Sequence, residues 1–258
     1  MDWYQNILQE LINADCVDTS RGKALTKIGK ILTFDVTNEL PVTTARKIYV
    51  GQALIELYCF LKGYNTKAQF NAHKLTWWDK EFTKAQTNTL GNRYGAAWND
   101  FGNVNQIKHA INLLKVNKNT RSAIVYSQSK AKYNDELSIP CITHWQVNIL
   151  HDCLYLSVYQ RSADVLIGLP YDVIEYSVLA KLLQNQFKCT KAILSYHLSN
   201  YHLYLDYYSQ ANTLIAANTY KHPQYKTDNI IDTYNYSQVH IESYKTNGAL
   251  QLDLKLKQ

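Results

Sequence analysis

An α/β fold of the mixed, α+β kind is predicted by three observations. Segments of helical spacing are interleaved with runs of branched and aromatic residues. No Gly/Ser-rich or Pro-rich linker, repeat or low-complexity stretch divides the chain. Its 258 residues, 46% of them hydrophobic, suffice to bury one large core. The expectation is therefore a single domain spanning residues 1–258.

Taken in order, Trp3, Ile7, Leu8, Leu11 and Ile12 recur at helical spacing and predict an N-terminal amphipathic helix. Ile28 to Val36 reads as a strand. Thr44 to Leu61 reads as a mostly apolar helix, with Thr43 and Thr44 as candidate caps and Lys62-Gly63 as its basic last turn and C′ glycine. Ile107, Ala110, Ile111 and Leu114 mark a further helix, and Ala123 to Tyr126 a strand. Trp145 to Leu150 and Leu154 to Tyr159, separated by His151-Asp152-Cys153, predict a hairpin. Helical spacing returns between Asp172 and Asn185, where Asp172 with Glu175 three positions on resembles an N-cap with a capping box. Residues 199–258 are Tyr-rich and alternate weakly.

Composition excludes several classes. Charged residues make up 19% of the chain, too few for a disordered chain, and the longest apolar stretch, Ala53 to Leu61, is short and interrupted by Glu56, so no membrane-spanning helix is expected. Met1-Asp2-Trp3-Tyr4 lacks the basic and apolar regions of a secretory signal, and a cytoplasmic location is expected. Five cysteines without a Cys-x-x-Cys pair predict neither a disulfide framework nor a zinc ribbon. His144, His151 and Cys153 lack a fourth nearby ligand, so no metal is expected. The formal charge of +6 is spread along the chain, which favours a small anionic ligand over nucleic acid.

Several residues are suited to chemistry. Glu56 lies in the most apolar helix, where a carboxylate must find a partner or raise its pKa; a structurally satisfied buried Glu is the alternative. Cys141 follows Pro140 at the start of the first hairpin strand, a fixed position that suits a nucleophile if a cation such as Arg161 lowers its pKa; an inert buried thiol is the alternative. Gln160-Arg161-Ser162-Ala163-Asp164 offers a guanidinium and a hydroxyl for a phosphate and a carboxylate for a ring N–H; a loop with an ion pair is the alternative. Gly168-Leu169-Pro170 then turns the chain into the next helix.

Together, Pro140-Cys141 and the run from Tyr159-Gln160-Arg161-Ser162-Ala163-Asp164 through Gly168-Leu169-Pro170-Tyr171-Asp172-Val173-Ile174 strongly resemble the signature of the thymidylate synthase family. Pro41-Val42-Thr43-Thr44, Glu56-Leu57, Phe60-Leu61-Lys62-Gly63, Leu90-Gly91, Tyr94-Gly95, Trp98 and His202-Leu203-Tyr204 follow in the family's order. The resemblance implies a three-layer sandwich around a large mixed β-sheet, dimerised through the sheets. It implies Cys141 as the nucleophile at pyrimidine C6, Glu56 as the proton-moving carboxylate and Tyr94 as the tyrosine near C5. Arg161, Ser162 and Arg21 match phosphate ligands, Arg21 on a shorter loop, and Arg121 matches an arginine reaching the phosphate from the other subunit of a homodimer. Gln160 and Asp172 match the substrate-binding positions at the base, and His202 and Tyr204 those at the 3′-hydroxyl. Asp164, Gly168 and Trp78 match positions at the folate, 5,10-methylenetetrahydrofolate being the co-substrate.

The departures bear on the substrate. Asp172 stands where the family's synthases carry the asparagine that reads uracil, as in phage-type deoxycytidylate hydroxymethylases. A carboxylate repels uracil O4, whereas cytosine N4 donates to it and a carboxylic acid, or a carboxylate with protonated N3, satisfies N3 as well. A buried mispairing discriminates by on the order of 10⁴-fold. Ile142 replaces a histidine, Ser122 replaces the second cross-subunit arginine, and the last fifteen or so residues lack the family's closing tail, so water rather than hydride is expected to capture the one-carbon unit. The expected activity is that of a dCMP 5-hydroxymethyltransferase. The rivals are a divergent thymidylate synthase or dCMP methylase using hydride, and a catalytically silent nucleotide- or RNA-binding homologue.

Overall fold

The computed structural model describes residues 1–84, 86–128 and 139–250. Helix α1 (Trp3–Leu11) starts at a reciprocal capping box: Asp2 Oδ1 accepts from the Gln5 N–H at 2.9 Å and Gln5 Oε1 from the Asp2 N–H at 3.1 Å. Its Tyr4, Ile7, Leu8 and Leu11 are fully buried. Strands β1 (Asp15–Thr19) and β2 (Gly22–Asp35) form a hairpin turned at Ser20-Arg21, so the predicted strand at Ile28 is the second half of a longer one.

Helix α2 (Val50–Leu61) begins six residues after the expected start at Thr44. Tertiary bonds hold residues 41–49 out of the helix: Thr43 Oγ1 donates to Asp2 Oδ2 at 2.7 Å, Thr44 Oγ1 to the Tyr220 carbonyl at 3.2 Å, and Arg46 Nε to Tyr4 Oη at 3.2 Å. The predicted end holds, with Gly63 at φ +72°. Three short helices follow, α3 (Lys67–Ala72), α4 (Asp79–Lys84) and α5 (Gly95–Asn99), then α6 (Gln106–Val116) and strand β3 (Ile124–Tyr126).

Strands β4 (Ile142–Leu150) and β5 (Cys153–Asp164) make the predicted hairpin, with Cys153 inside β5. The turn residues His151 and Asp152 both have positive φ, +48° and +62°, as a two-residue primed turn demands. Helix α7 (Leu169–Phe187) starts at Gly168-Leu169 with Pro170 in its first turn. Asp172 therefore lies inside the helix, and the expected cap at Asp172 is incorrect. Strand β6 (Lys191–Tyr204), helix α8 (Tyr208–Ile215) and the small pair β7 (Gln224–Lys226) and β8 (His240–Glu242) complete the order.

Six strands form one sheet in the order β1-β2-β6-β5-β4-β3, antiparallel except for the parallel β5–β6 pair that α7 connects. Leu154, Leu156 and Val158 of β5 and Ala192, Leu194 and Tyr196 of β6 face α7, which packs on both strands and is itself covered by α2. The result is three layers. Apolar residues line α7 almost all round because it is sandwiched between sheet and helix.

Candidate functional site

Cys141 stands one residue before β4, where a bulge between Ile142 and His144 interrupts the pairing with β5. The Arg161 N–H donates to the Cys141 carbonyl at 2.7 Å, and the Cys141 N–H donates to Tyr94 Oη at 3.1 Å. Gln160 pairs with Ile142, Ser162 with Asn200, and Asp164 with His202. One end of the sheet thus gathers the predicted Cys141, Gln160, Arg161, Ser162, Asp164 and His202.

The Cys141 thiol is pushed up by burial and by Asp172, against the opposing pull of Arg161 and Arg21. Arg161 lies beside it as expected, yet burial outweighs its charge, so the resting group is a thiol. The Arg161 guanidinium buttresses the approach to the cysteine: Nε donates to the Pro140 carbonyl at 3.1 Å and Nη2 to that of Ile139 at 2.5 Å. Nη1 has no partner among the described residues and remains for an anion.

Asp172 is half-buried on the first turns of α7, where Gln160 Nε2 donates to its Oδ2 at 2.8 Å. Burial, opposed by the Gln160 bond and reinforced by Glu56 and Asp164, raises its carboxyl to about 7. Gln160 Oε1 is buried without a donor, and Asp172 Oδ1 has none either among the described residues. These two unpaired acceptors next to Cys141 suit the hydrogen-bonding edge of a polar ring.

Glu56 is 8% exposed on α2, and its Oε1 accepts the indole N–H of Trp77 at 3.0 Å and of Trp78 at 2.5 Å. Burial raises its carboxyl, against side-chain hydrogen bonds from Glu175 and the two indoles. The adjacent Trp77-Trp78 pair is the sequence signal for Trp77; Trp78, expected at the folate, gives its indole N–H to Glu56. Tyr94 stacks on Phe60 at 5.1 Å, with its backbone at φ +49°, a left-handed conformation that a tyrosine adopts only under tertiary constraint. Its hydroxyl is pushed well above its ordinary range, first by burial and then by Cys141.

On the far side, Asp164 Oδ1 accepts the N–H groups of Leu166 and Ile167, both at 3.0 Å, and Gly168 donates to the Asp164 carbonyl at 3.1 Å. Burial, moderated by those two bonds and by Arg46 and Arg21, raises Asp164 to about 6. Burial and then Arg21 lower His202 to about 4, so its imidazole is neutral; Nδ1 donates to Asn200 Oδ1 at 3.0 Å and leaves Nε2 an acceptor. Tyr204 packs edge-on to His202 at 5.1 Å. Arg21, in the β1–β2 turn, bears electrostatically on Cys141, Asp164, His202 and Tyr204 and thus faces the same cleft.

Arg121 stands apart, exposed in the loop before β3, where its carbonyl accepts from Gln146 Nε2 at 3.0 Å. Among the described residues no group of three or more His, Cys, Asp or Glu is placed to hold a metal ion, and no helix is long and apolar enough to cross a membrane. All five cysteines are free thiols. Sequence reasoning missed Asn200 and Arg46, the latter 5% exposed with Nη2 on the Leu166 carbonyl at 2.5 Å, for neither sits in a distinctive local pattern.

A mixed sheet covered by a buried helix brings a cysteine, two raised aspartates and two arginines to one mouth, an arrangement suited to an α/β enzyme working by nucleophilic chemistry on an anionic ligand. A family model described as Thymidylate synthase matches residues 2–256. The thymidylate synthase of Mycoplasma genitalium is 26% identical over 250 residues, covering 85% of this chain and 87% of that protein. The chain belongs to the thymidylate synthase family and has its fold. Members are folate-dependent one-carbon transferases that act on nucleotides with methylenetetrahydrofolate as co-substrate, typically as dimers. The match runs to residue 256 and so includes most of the C-terminal segment expected to lack the family's closing tail. Residues 251–258, which carry the end of that tail, lie outside the described residues.

Proposed function

We propose that the chain is a dCMP 5-hydroxymethyltransferase, converting dCMP, 5,10-methylenetetrahydrofolate and water to 5-hydroxymethyl-dCMP and tetrahydrofolate, with residues 1–258 as one catalytic domain. The observation that carries this reading is Asp172, with Oδ2 held by Gln160, Oδ1 open, and a carboxyl that keeps its proton to about pH 7. Cytosine offers an N3 acceptor and an N4 donor and is satisfied with one proton on either partner. Uracil offers N3–H and O4, and the ionised Asp172 repels O4, so uracil is held only while the acid stays protonated.

Cys141 adds through sulfur to C6 as the C5–C6 π bond opens toward C5, the thiol proton passing to solvent water, with Arg161 and Arg21 the cations that favour the thiolate. Glu56 moves protons at the base, and Tyr94, whose Oη accepts the Cys141 N–H, keeps its own O–H for the C5 side. Arg21, Arg161 and Ser162 hold the phosphate, joined by Arg121 across a homodimer interface. Neutral His202 and Tyr204 hold the 3′-hydroxyl. The folate supplies the one-carbon unit; Asp164 Oδ2, without a partner among the described residues, suits its pterin N–H groups, beside Gly168 and Trp78.

A second reading, methylation with hydride from the folate, draws on the Mycoplasma relative being a thymidylate synthase. Incubation with methylenetetrahydrofolate and either dCMP or dUMP, with mass analysis of the nucleotide and assay of dihydrofolate, separates the two. Hydroxymethylated dCMP without dihydrofolate is expected, and a methylated product with dihydrofolate overturns the proposal. Asp172→Asn is expected to shift kcat/KM toward dUMP by roughly 100-fold or more, and Cys141→Ala to abolish turnover.

A further inference from the structure

Helix α7 carries two acids three residues apart, Asp172 and Glu175, and its packing against α2 sets Glu175 beside Glu56. Glu175 is 2% exposed, its carboxyl faces that of Glu56 within the reach of a side-chain hydrogen bond, and its Oε1 meets no donor among the described residues. A hydrogen bond between two carboxyl groups requires a proton, because a carboxylate has none to donate. Glu56 Oε1 receives two indole N–H groups that favour its anion, and Glu175 has nothing equivalent at Oε1. The proton therefore resides on Glu175, which donates to Glu56. The titratable groups facing the pair are Asp172 and Tyr176 of α7, Cys59 of α2, Tyr94, Tyr196 of β6 and Tyr234. All are acids, so none supplies a neutralising positive charge.

We propose that Glu175 is a positioning residue that forms with Glu56 a one-proton carboxyl dyad, holding Glu56 as an aimed carboxylate for proton transfer at the substrate. The inference rests on the reading that Glu56 moves protons at the pyrimidine. At rest the dyad holds one proton and one negative charge. When Glu56 takes a proton from the substrate or its bound water, the dyad holds two and is neutral, the form a buried site favours. Returning that proton to the departing group restores the resting state, with no other reactant consumed.

The test uses the full chain labelled with ¹³C at the glutamate side-chain carboxyls, titrated by NMR between about pH 5 and 9 as wild type, Glu175→Gln and Glu175→Ala. One glutamate carboxyl is expected to stay protonated through neutrality in the wild type. The Glu56 midpoint is expected to rise by about one pH unit in Glu175→Ala and to return in Glu175→Gln, whose amide N–H replaces the lost donor. The acid limb of kcat/KM should move with that midpoint and KM should stay within about twofold; Glu56→Gln/Glu175→Ala should be no slower than Glu56→Gln alone by more than about twofold. A Glu56 midpoint unchanged in both variants overturns the dyad, and a moved midpoint with an unmoved acid limb overturns the positioning role. Wild-type protein that turns over neither dCMP nor dUMP sinks the activity reading instead, while the NMR titration still decides the dyad.

Discussion

Asp164 and Asp172 hold their carboxyls at about 6 and about 7 in the folded chain, above the ordinary 3.8. The folded state binds these protons more tightly than the unfolded one. Their contribution to stability is fully present below the ordinary carboxyl pKa and is lost as the pH rises through 6 and 7. Asp172→Asn, which keeps an acceptor for Gln160, should stabilise the protein by about 2 kcal/mol at pH 8 and scarcely at pH 4, measured by denaturant unfolding at both. At this scale the sequence was legible where chemistry is local. Cys141 after Pro140 and the Gln160-to-Asp164 run could be read directly, because strand pairing keeps sequence neighbours together. Glu175 could not: spacing of three from Asp172 fits a capping box and equally a buried face, and only the covering helix decides between them.

Among the elements, α5 depends on close approach. A Cβ at Gly95 would stand 2.3 Å from the Phe60 Cα and carbonyl oxygen, backbone of α2 that cannot move aside. Gly95→Ala should cost about 3 kcal/mol or more, read as a lowered denaturation midpoint, and should reduce turnover further by shifting Tyr94, its neighbour at φ +49°. The long elements were legible from periodicity, and α1, α6 and β3 fall within a few residues of expectation. Two classes were not. Helices of five or six residues such as α3 and α5 are too short to display a period, and the start of α2 is set by Asp2, Tyr4 and Tyr220, partners remote from residues 43–46 in sequence.

For the whole molecule, the sheet face turned away from α7 is the prominent surface. Ile31, His197, Tyr159, His144 and Tyr126 pair in one row across five strands. Tyr159 stacks between His197 at 4.3 Å and His144 at 4.4 Å, and Ile31 is 60% exposed. Under the proposed homodimer this row is the seam. Tyr159→Glu should yield monomers in sedimentation or size-exclusion measurements. Burial already holds both imidazoles below their ordinary pKa in the single chain, with His197 adding to the effect on His144; covering the row in a dimer would desolvate them further, so the dimer should weaken as the pH falls toward 5.

The pairing of β2 with β6 also sets a timetable. Residues 24–35 hydrogen-bond with residues 193–204, so during synthesis the second strand waits on the ribosome for a neighbour made near the end of translation. Until then the β1–β2 ribbon offers a bare edge beside Ile28 and Ile31, which stay exposed even in the folded chain. Lys23, Lys27 and Lys30 on the same strand give that nascent ribbon a cationic guard, which links the modest positive charge of the chain to the hazard of its own birth.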